Sequence, residues 1–254
     1  MKFIAIGDSC TDEFIYGECD RLSPEVPVPV LQPNKTIRSG GMVKNLARNV
    51  KALGVECDVL CNENKMVKTR YVHEKTNHML LRVETVSQPT KKFNILDIPF
   101  TEVDAILISL DGRDGKSFLT SDDVANICNL HRNVFVDSKS KIQCPLPNNL
   151  KFLKINDREL EMNNWLKDAL QSPIPNISQK KVIVTRGKEG CSYNGKLYPC
   201  KQPRETRDLS GAGDTFLAAL AVACVDKEYS IDDAIDFAND CASLVVSKKG
   251  VSTV

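Results

Sequence analysis

Residues 208–215, Asp-Leu-Ser-Gly-Ala-Gly-Asp-Thr, combine a backbone cradle of about phosphate size with one carboxylate at the mouth of a helix. Gly211 and Gly213 permit a tight turn in which no Cβ blocks an approaching anion. Phe216, Leu217, Leu220, Ala221 and Cys224 then recur at helical spacing, so the turn opens directly into an amphipathic helix. Unpaired amides of the first turn, including those of the Gly211-Ala212-Gly213 stretch, point with the positive end of the helix dipole at whatever anion docks there. Asp214 is the odd member, since an acid beside an anion site is repulsive unless it has a task. Accepting the proton of an attacking hydroxyl is such a task, and the chemistry that suits this group is phosphoryl transfer. The other account of Asp214 is helix capping, because Asp is a favoured N-cap.

Such residues need a frame that brings them together. The chain has 254 residues, enough for one large α/β domain over 1–254 with a substantial core. Apolar residues make up 42% and charged residues 26%, the balance of a soluble globular protein. Lys and Arg number 34 against 33 Asp and Glu, which gives no electrostatic case for nucleic acid or membrane as a partner. The apolar run at residues 3–6 is too short for a signal peptide and soon meets Asp8, so a cytoplasmic location is expected. The 10 cysteines form neither a Cys-x-x-Cys pair nor a Cys/His cluster, and read as reduced, mostly buried small hydrophobes.

Residues 2–6 read as a buried first strand that delivers Asp8 at its C-terminal edge, the edge where open α/β sheets bind ligands. Asp12 follows; the two acids either grip sugar hydroxyls or are solvated loop acids. Residues 21–30, Arg-Leu-Ser-Pro-Glu-Val-Pro-Val-Pro-Val, cannot form a central strand because each Pro lacks an amide donor, and an extended edge segment is expected. Ser39-Gly40-Gly41 leads into a helix over 42–53 that ends at Gly54. After a β-like segment at 56–61, residues 67–72 and 79–84 alternate polar with apolar and suggest a two-stranded ribbon. Its cations Lys68, Arg70 and Arg82 either clamp a phosphate or form a solvated sheet face. Strands at 104–109, 133–137, 152–155 and 181–185, with helices at 121–130 and 231–247, continue the β-α-β rhythm of a parallel sheet. Asn156 and Glu159 have the spacing of a capping box at the start of a further helix.

Asp208-x-Ser210-Gly211-Ala212-Gly213-Asp214, with the small pair Ala218-Ala219 beyond it, closely resembles the C-terminal signature of the ribokinase-like (PfkB) sugar kinases. Leu209 departs mildly from it. The first signature of that family is met by Gly40, Gly41, Asn45, Ala47 and Gly54, with Val43 and Lys44 standing where small residues are customary. The resemblance implies a three-layer α/β/α sandwich on a mostly parallel sheet, with a small β lid from about residues 12–38 and 66–86. It implies Asp214 as base, with the Gly211, Ala212 and Gly213 turn holding the transferred phosphate, and Asp8, Asp12, Gly41 and Asn45 on the sugar. ATP would meet Lys139 of an Asp-Pro-Lys-like Asp137-Ser138-Lys139, Asn156, Glu159, and the Thr185, Arg186, Gly187 and Gly190 turn. Asn156 and Glu159 would also assist Mg2+ from its outer shell, so both the capping account and this one stand.

Residues 21–30 resemble a segment of one branch of the family, the bacterial heptose 7-phosphate kinases, and the ribbon resembles the lid of that branch. This implies a heptose 7-phosphate as substrate, with Lys68, Arg70 and Arg82 on its phosphate. The family normally has a further helix and strand between the segment ending at Cys61 and the ribbon, and here only a few residues intervene. A kinase for a ribose- or fructose-like sugar, or a catalytically silent homologue that still binds sugar or nucleotide, also fits; the short connection and Lys44 favour the silent form and the Asp214 turn opposes it. The exposed apolar residues expected on the lid, among them Val26, Val28, Val30, Tyr71, Val72, Leu80 and Val83, imply a homodimer through that lid.

Overall fold

The computed structural model describes residues 1–62, 66–85, 92–110, 117–174, 176–201, 210–248 and 252–254. Asp208, Leu209 and the 111–116 loop, with Lys116, lie outside the described residues. The strands in chain order are β1 (Lys2–Gly7), β2 (Ser9–Glu18), β3 (Gln32–Met42), β4 (Glu56–Cys61), β5 (Val67–His73) and β6 (Met79–Glu84), followed by β7 (Ala105–Leu110), β8 (Val134–Ser138), β9 (Leu150–Asn156), β10 (Val182–Thr185), β11 (Cys191–Tyr193) and β12 (Lys196–Tyr198). The helices are α1 (Val43–Ala52), α2 (Ser121–Leu130), α3 (Asp157–Glu161), α4 (Asn164–Gln171), α5 (Ala212–Val225) and α6 (Ile231–Val246).

One sheet has 8 strands in the order β12-β11-β10-β9-β8-β7-β1-β4. From β4 to β10 all neighbours are parallel, and β11 and β12 finish the edge antiparallel. Side-chain alternation divides its apolar residues between two layers of helix. Phe3, Ala5, Leu107 and Phe135 pack with Leu46, Val50, Leu217 and Ala238 of α1, α5 and α6. Ile4, Ile6, Ile106 and Ile108 face the other way, onto Val124 and Ile127 of α2 and Leu166 of α4. Helix α5 packs against both α1 and α6, and its residues from Thr215 to Ala223 are buried, so the amphipathic helix expected there is apolar nearly all round. Among the described residues no helix is long and apolar enough to cross a membrane. The 10 cysteines are thiols outside any disulfide, and burial pushes Cys57, Cys128 and Cys191 up to about 12.

The second sheet is the lid, with 4 strands in the order β3-β2-β5-β6. It reaches deeper than 12–38, since β2 starts at Ser9 and β3 continues to Met42, where α1 begins. The ribbon of β5 and β6 is antiparallel as its alternation requires, with Arg70 opposite Arg82 and Lys68 opposite Glu84. Residues 21–30 are not the extended edge segment that their prolines suggest. They fold back on themselves, joined by a Leu22–Pro29 bridge, by Val30 N to Arg21 O at 3.0 Å and by Ser23 N to Val28 O at 2.9 Å. A proline-rich loop with its own hydrogen bonds satisfies its backbone without borrowing a strand. Of the apolar residues expected on the lid surface, Val72 is instead buried with Phe14 and Tyr16, Val30, Tyr71 and Leu80 are half-buried, and Val26, Val28 and Val83 are exposed, as is Leu81 next to Leu80.

The short connection after β4 is accommodated by side chains. Asn62 Oδ1 accepts from Ser9 N at 2.9 Å, and Ser9 Oγ donates to Asn62 O at 3.0 Å, which ties the end of β4 to the start of the lid. The sheet face beside it is covered by Phe93, Ile95, Ile98 and Phe100, which pack on the cluster containing Ile4 and Ile106. A segment whose only helical piece is a single 3-10 turn at Ile95–Asp97 thus does the covering there.

Candidate active site

The C-terminal edge of the parallel strands, the lid and the start of α5 bring most of the candidate residues to one region. Gly211, in the left-handed region at φ 86°, is the N-cap of α5, and Thr215 N donates to Gly211 O at 3.0 Å as the helix begins. Asp214 is therefore the third residue of the helix and not its cap. The amides of Ala212, Gly213 and Asp214 belong to the first turn, where the helix itself offers them no acceptor. Asn45 Nδ2 donates to Asp214 Oδ2 at 2.8 Å, so α1 lends this carboxylate a donor from across the fold. Thr215 Oγ1 donates to Asn49 Oδ1 at 3.0 Å, a second polar link between α1 and α5.

Asp214 is half-buried, and its surroundings push its carboxyl above the ordinary range. Burial is the main cause and Asp137 adds to it, while Lys139, the Asn45 amide and Lys154 pull the other way. A carboxylate raised toward working pH is a better proton acceptor than one held low. Beneath the turn, Lys154 Nζ reaches both Asp137 oxygens at 2.9 Å. Both side chains are buried, and a Cβ at Gly213 would lie 2.7 Å from that ammonium, so a larger residue there would have to push the lysine end aside. Lys154 was not singled out in the sequence. Its signal was a lysine within the apolar Phe152-Leu153-Lys154-Ile155 strand, which has to find a partner once buried.

Asn156 and Glu159 form the capping box. Glu159 N donates to Asn156 Oδ1 at 2.9 Å, and Asn156 N donates to Glu159 Oε2 at 2.7 Å. Glu159 is buried, and desolvation raises its pKa, with Asp137 in the same direction and Lys154, its own capping bond and Lys139 opposing. Among the described residues no three His, Cys, Asp or Glu side chains gather to hold a metal. Mg2+ usually keeps several waters and takes one or two carboxylates together with substrate phosphates, so a single buried carboxylate near an anion cradle fits it in an outer-shell role.

On the lid, Asp12 Oδ1 accepts from Arg70 Nη1 at 2.6 Å, both side chains being buried, and the guanidinium lies 4.8 Å from the Phe14 ring centroid. Lys68 is buried too, so a solvated sheet face does not describe these two cations. Arg82 is more exposed and pairs with Glu84. Gly41 lies over Asp12, where a Cβ would come within 2.0 Å of Asp12 Oδ2. Asp8 is held by protein donors: Ser117 Oγ at 2.7 Å, Phe118 N at 2.8 Å and Asn62 Nδ2 at 3.3 Å. That makes Asp8 a clasp between β1 and the segment entering α2. Lys44 is exposed.

The Thr185 to Gly190 turn follows β10 at the same sheet edge. Arg186 N donates to Gly190 O at 2.8 Å, and the Arg186 side chain is fixed by Ser192 Oγ at 3.3 Å and Asp157 at 3.5 Å. Gly187 opens a short 3-10 turn, and Thr185 Oγ1 donates to Ile155 O at 3.2 Å.

A large, mostly parallel sheet between helix layers, with a small β lid over its C-terminal edge, is the ribokinase fold, and solved structures bear this out. Ribokinase from Arabidopsis thaliana, complexed with ribose and ATP, aligns with a TM-score of 0.63 at 16% identity over 98% of this chain and 93% of its own. Phosphofructokinase-2 from Escherichia coli, in complex with potassium, gives 0.67 at 14% identity over 99% and 94%. Residues 120–254, more than half of the sequence, match the pfkB family carbohydrate kinase profile, and the chain belongs to that family. Among curated relatives, the bifunctional protein HldE of Hyphomonas neptunium is 29% identical over 100% of this chain and 61% of its own length. The HldE of Helicobacter pylori strain J99 is 26% identical over 98% and 63%. The chain thus spans less than two thirds of the curated relatives it matches.

Proposed function

We propose that this chain transfers the γ-phosphate of ATP to a hydroxyl of a sugar phosphate, and that the sugar is a heptose 7-phosphate. The observation that carries the reading is Asp214 in the first turn of α5, held by Asn45 at 2.8 Å beside a glycine turn whose first amides have no acceptor within the helix. In this reading Asp214 takes the hydroxyl proton, while the amides of residues 212–214 and the helix dipole stabilise charge on the transferring phosphoryl group. Lys139 and Lys154, whose charges both act on Asp214, supply positive potential at the same place. Mg2+ would neutralise the ATP phosphates, with Glu159 and Asn156 orienting its waters. The Thr185, Arg186, Gly187 and Gly190 turn would border the nucleotide. Gly41 and Asn45 would meet the sugar, Asp12 would meet it from its pair with Arg70, and Asp8 would act by shaping the strand end.

The choice of a phosphorylated sugar rests on the lid, where Lys68, Arg70 and Arg82 lie on one face of β5 and β6. The resemblance of residues 21–30 to the heptose-kinase branch selects among such sugars. Exposed Leu22, Val26, Val28, Leu81 and Val83 support pairing of two lids in a homodimer. The test is phosphorus NMR of products formed from ATP and D-glycero-D-manno-heptose 7-phosphate, with ribose and fructose 6-phosphate in parallel. A new anomeric phosphate signal with the heptose alone supports the reading. Turnover of another sugar in the panel would reassign the substrate, and no product from any of them would favour the silent homologue.

A further inference from the structure

Asn45 has a neighbour that the reaction as described does not use. Arg48, one helical turn further along α1, donates from Nη2 to Asn45 Oδ1 at 2.8 Å. We propose that Arg48 is a positioning residue for phosphoryl transfer, fixing the Asn45 amide with its NH2 group toward Asp214; this rests on the reading of Asp214 as the base.

The argument starts from the symmetry of the amide. An Asn side chain presents a carbonyl on one side and an NH2 on the other, and a flip exchanges an acceptor for a donor with little change in shape. Facing Asp214 with the wrong end would set a carbonyl dipole against a carboxylate. Arginine has no acceptor, so the group it touches has to be the oxygen. With Oδ1 committed to Arg48, the nitrogen is left for Asp214 Oδ2, where it donates at 2.8 Å. The backbone of the same residue is held as well, since Asn49 Nδ2 donates to Asn45 O at 3.0 Å and Asn49 is in turn bonded by Thr215. Arg48 therefore does by orientation what it does not do by contact: it occupies one end of a two-ended group so that Asp214 Oδ2 is engaged and Oδ1 is the oxygen offered to the hydroxyl proton.

The charged groups acting on Asp214 are Lys139 and Asp137 at the end of β8 and Lys154 on β9, with Asn45 as the polar contact from α1. Arg48 is not among the charges that act on Asp214, and the Asn45→Ala background separates an effect passed through Asn45 from a direct effect of the guanidinium charge, in turnover and in the titration alike. The experiment compares Arg48→Met and Arg48→Lys in the wild-type and Asn45→Ala backgrounds, using ATP and D-glycero-D-manno-heptose 7-phosphate. Arg48→Met is expected to lower kcat by about 10- to 100-fold, the scale of a small misplacement of a catalytic group, with the KM for ATP unchanged. It should have no further effect once Asn45 is Ala, and Arg48→Lys should recover part of the loss. Unchanged kcat, or equal losses in both backgrounds, would overturn the inference. Carbon NMR titration of the Asp214 carboxyl needs no turnover: Arg48→Met should move its midpoint upward, and an unmoved midpoint overturns the inference. If the wild-type makes no product while the midpoint moves, the kinase reading fails for this sugar, and what stands is the orientation of Asn45 toward Asp214 by Arg48. Should Arg48→Met fail to fold, Arg48→Lys, which keeps the stem and charge, carries both measurements.

Discussion

Lys154 holds both carboxylate oxygens of Asp137 at 2.9 Å directly beneath Gly213, so the glycine turn rests on a buried ion pair. Such a pair is costly to break from one side, because the remaining charge is left without its partner. Lys154→Met should lower unfolding free energy by about 3–5 kcal/mol, and the double replacement Lys154→Met with Asp137→Leu should recover much of it. Urea denaturation of the three variants measures this. A loss below about 1 kcal/mol for the single variant would mean that the pair is solvated in solution.

Gly213→Ala tests the closeness of the turn to that ammonium. The added methyl would sit 2.7 Å from Lys154 Nζ, and moving that ammonium aside would disturb its pair with Asp137. We expect kcat to fall about 10-fold or more while the melting temperature moves little, because the clash displaces a cation near the anion site and no large apolar contact is lost. Steady-state kinetics and thermal melts separate the two effects, and an alanine variant with wild-type kcat would show that the cradle has room to spare.

Asp214→Asn should lower turnover by about 10² to 10⁴, the usual worth of a general base. Its stability should move the other way. Asp214 is held above its ordinary value of 3.8, so its protonated form is the one the fold favours. That contribution is complete below the ordinary value and lost as pH rises through the folded one. The neutral Asn keeps the bond to Asn45 without the burden, so it should melt higher than wild-type at neutral pH, with the difference vanishing in acid. Parallel melts across pH decide the point, and an Asn variant less stable than wild-type at pH 7 would contradict it.

Arg82 and Arg70 are expected to differ although they face each other across β5 and β6. Arg82→Ala should raise the KM for a phosphorylated sugar about 10-fold and leave the KM for ATP unchanged. Arg70→Ala should in addition lower stability, since it strips a buried Asp12 of its partner. Equal KM effects of Arg82→Ala on phosphorylated and unphosphorylated sugars would remove it from the phosphate site.

Light scattering at micromolar concentration should report about twice the 28.2 kDa chain mass. Val28 and Leu81 are 50% and 57% exposed, and Asp at either should shift the mass toward monomer. A wild-type protein that remains monomeric with substrate present would rule out the lid dimer and leave the chemistry untouched.

Much of the main sheet could be read from the residues because its strands are short apolar runs between glycines, acids and helical repeats. Helix α2 was expected at 121–130 and is Ser121–Leu130, since Thr120 and Asp123 make a capping box that local sequence already contains. The lid was less legible. Strand β3 has exposed polar residues through most of its length and no alternation to betray it, and β2 is buried on both faces near its start. The 21–30 loop is not legible in the sequence because proline excludes a central strand without saying what replaces it. At the site, the turn at Asp214 was visible as a local motif. The partners that give it its electrostatics were not, because Asn45 and Asp214 are 169 positions apart and only folding makes them neighbours.

The last strand of the lid and the first helix of the core are one uninterrupted piece of chain. β3 ends at Met42 and α1 starts at Val43, with Val43 N bonded to Asp8 O at 3.1 Å, and Asn45 stands two residues beyond. No slack loop separates the surface that would feel a sugar from the amide that aims the carboxylate. Such a joint would act as a lever whose short arm is Asn45: a tilt of the lid would turn the first residues of α1 and change the angle at which Asp214 is held. In the proposed reading, selecting the guest and setting the proton acceptor would then be mechanically geared, so that a lid left unseated would also leave the base out of alignment.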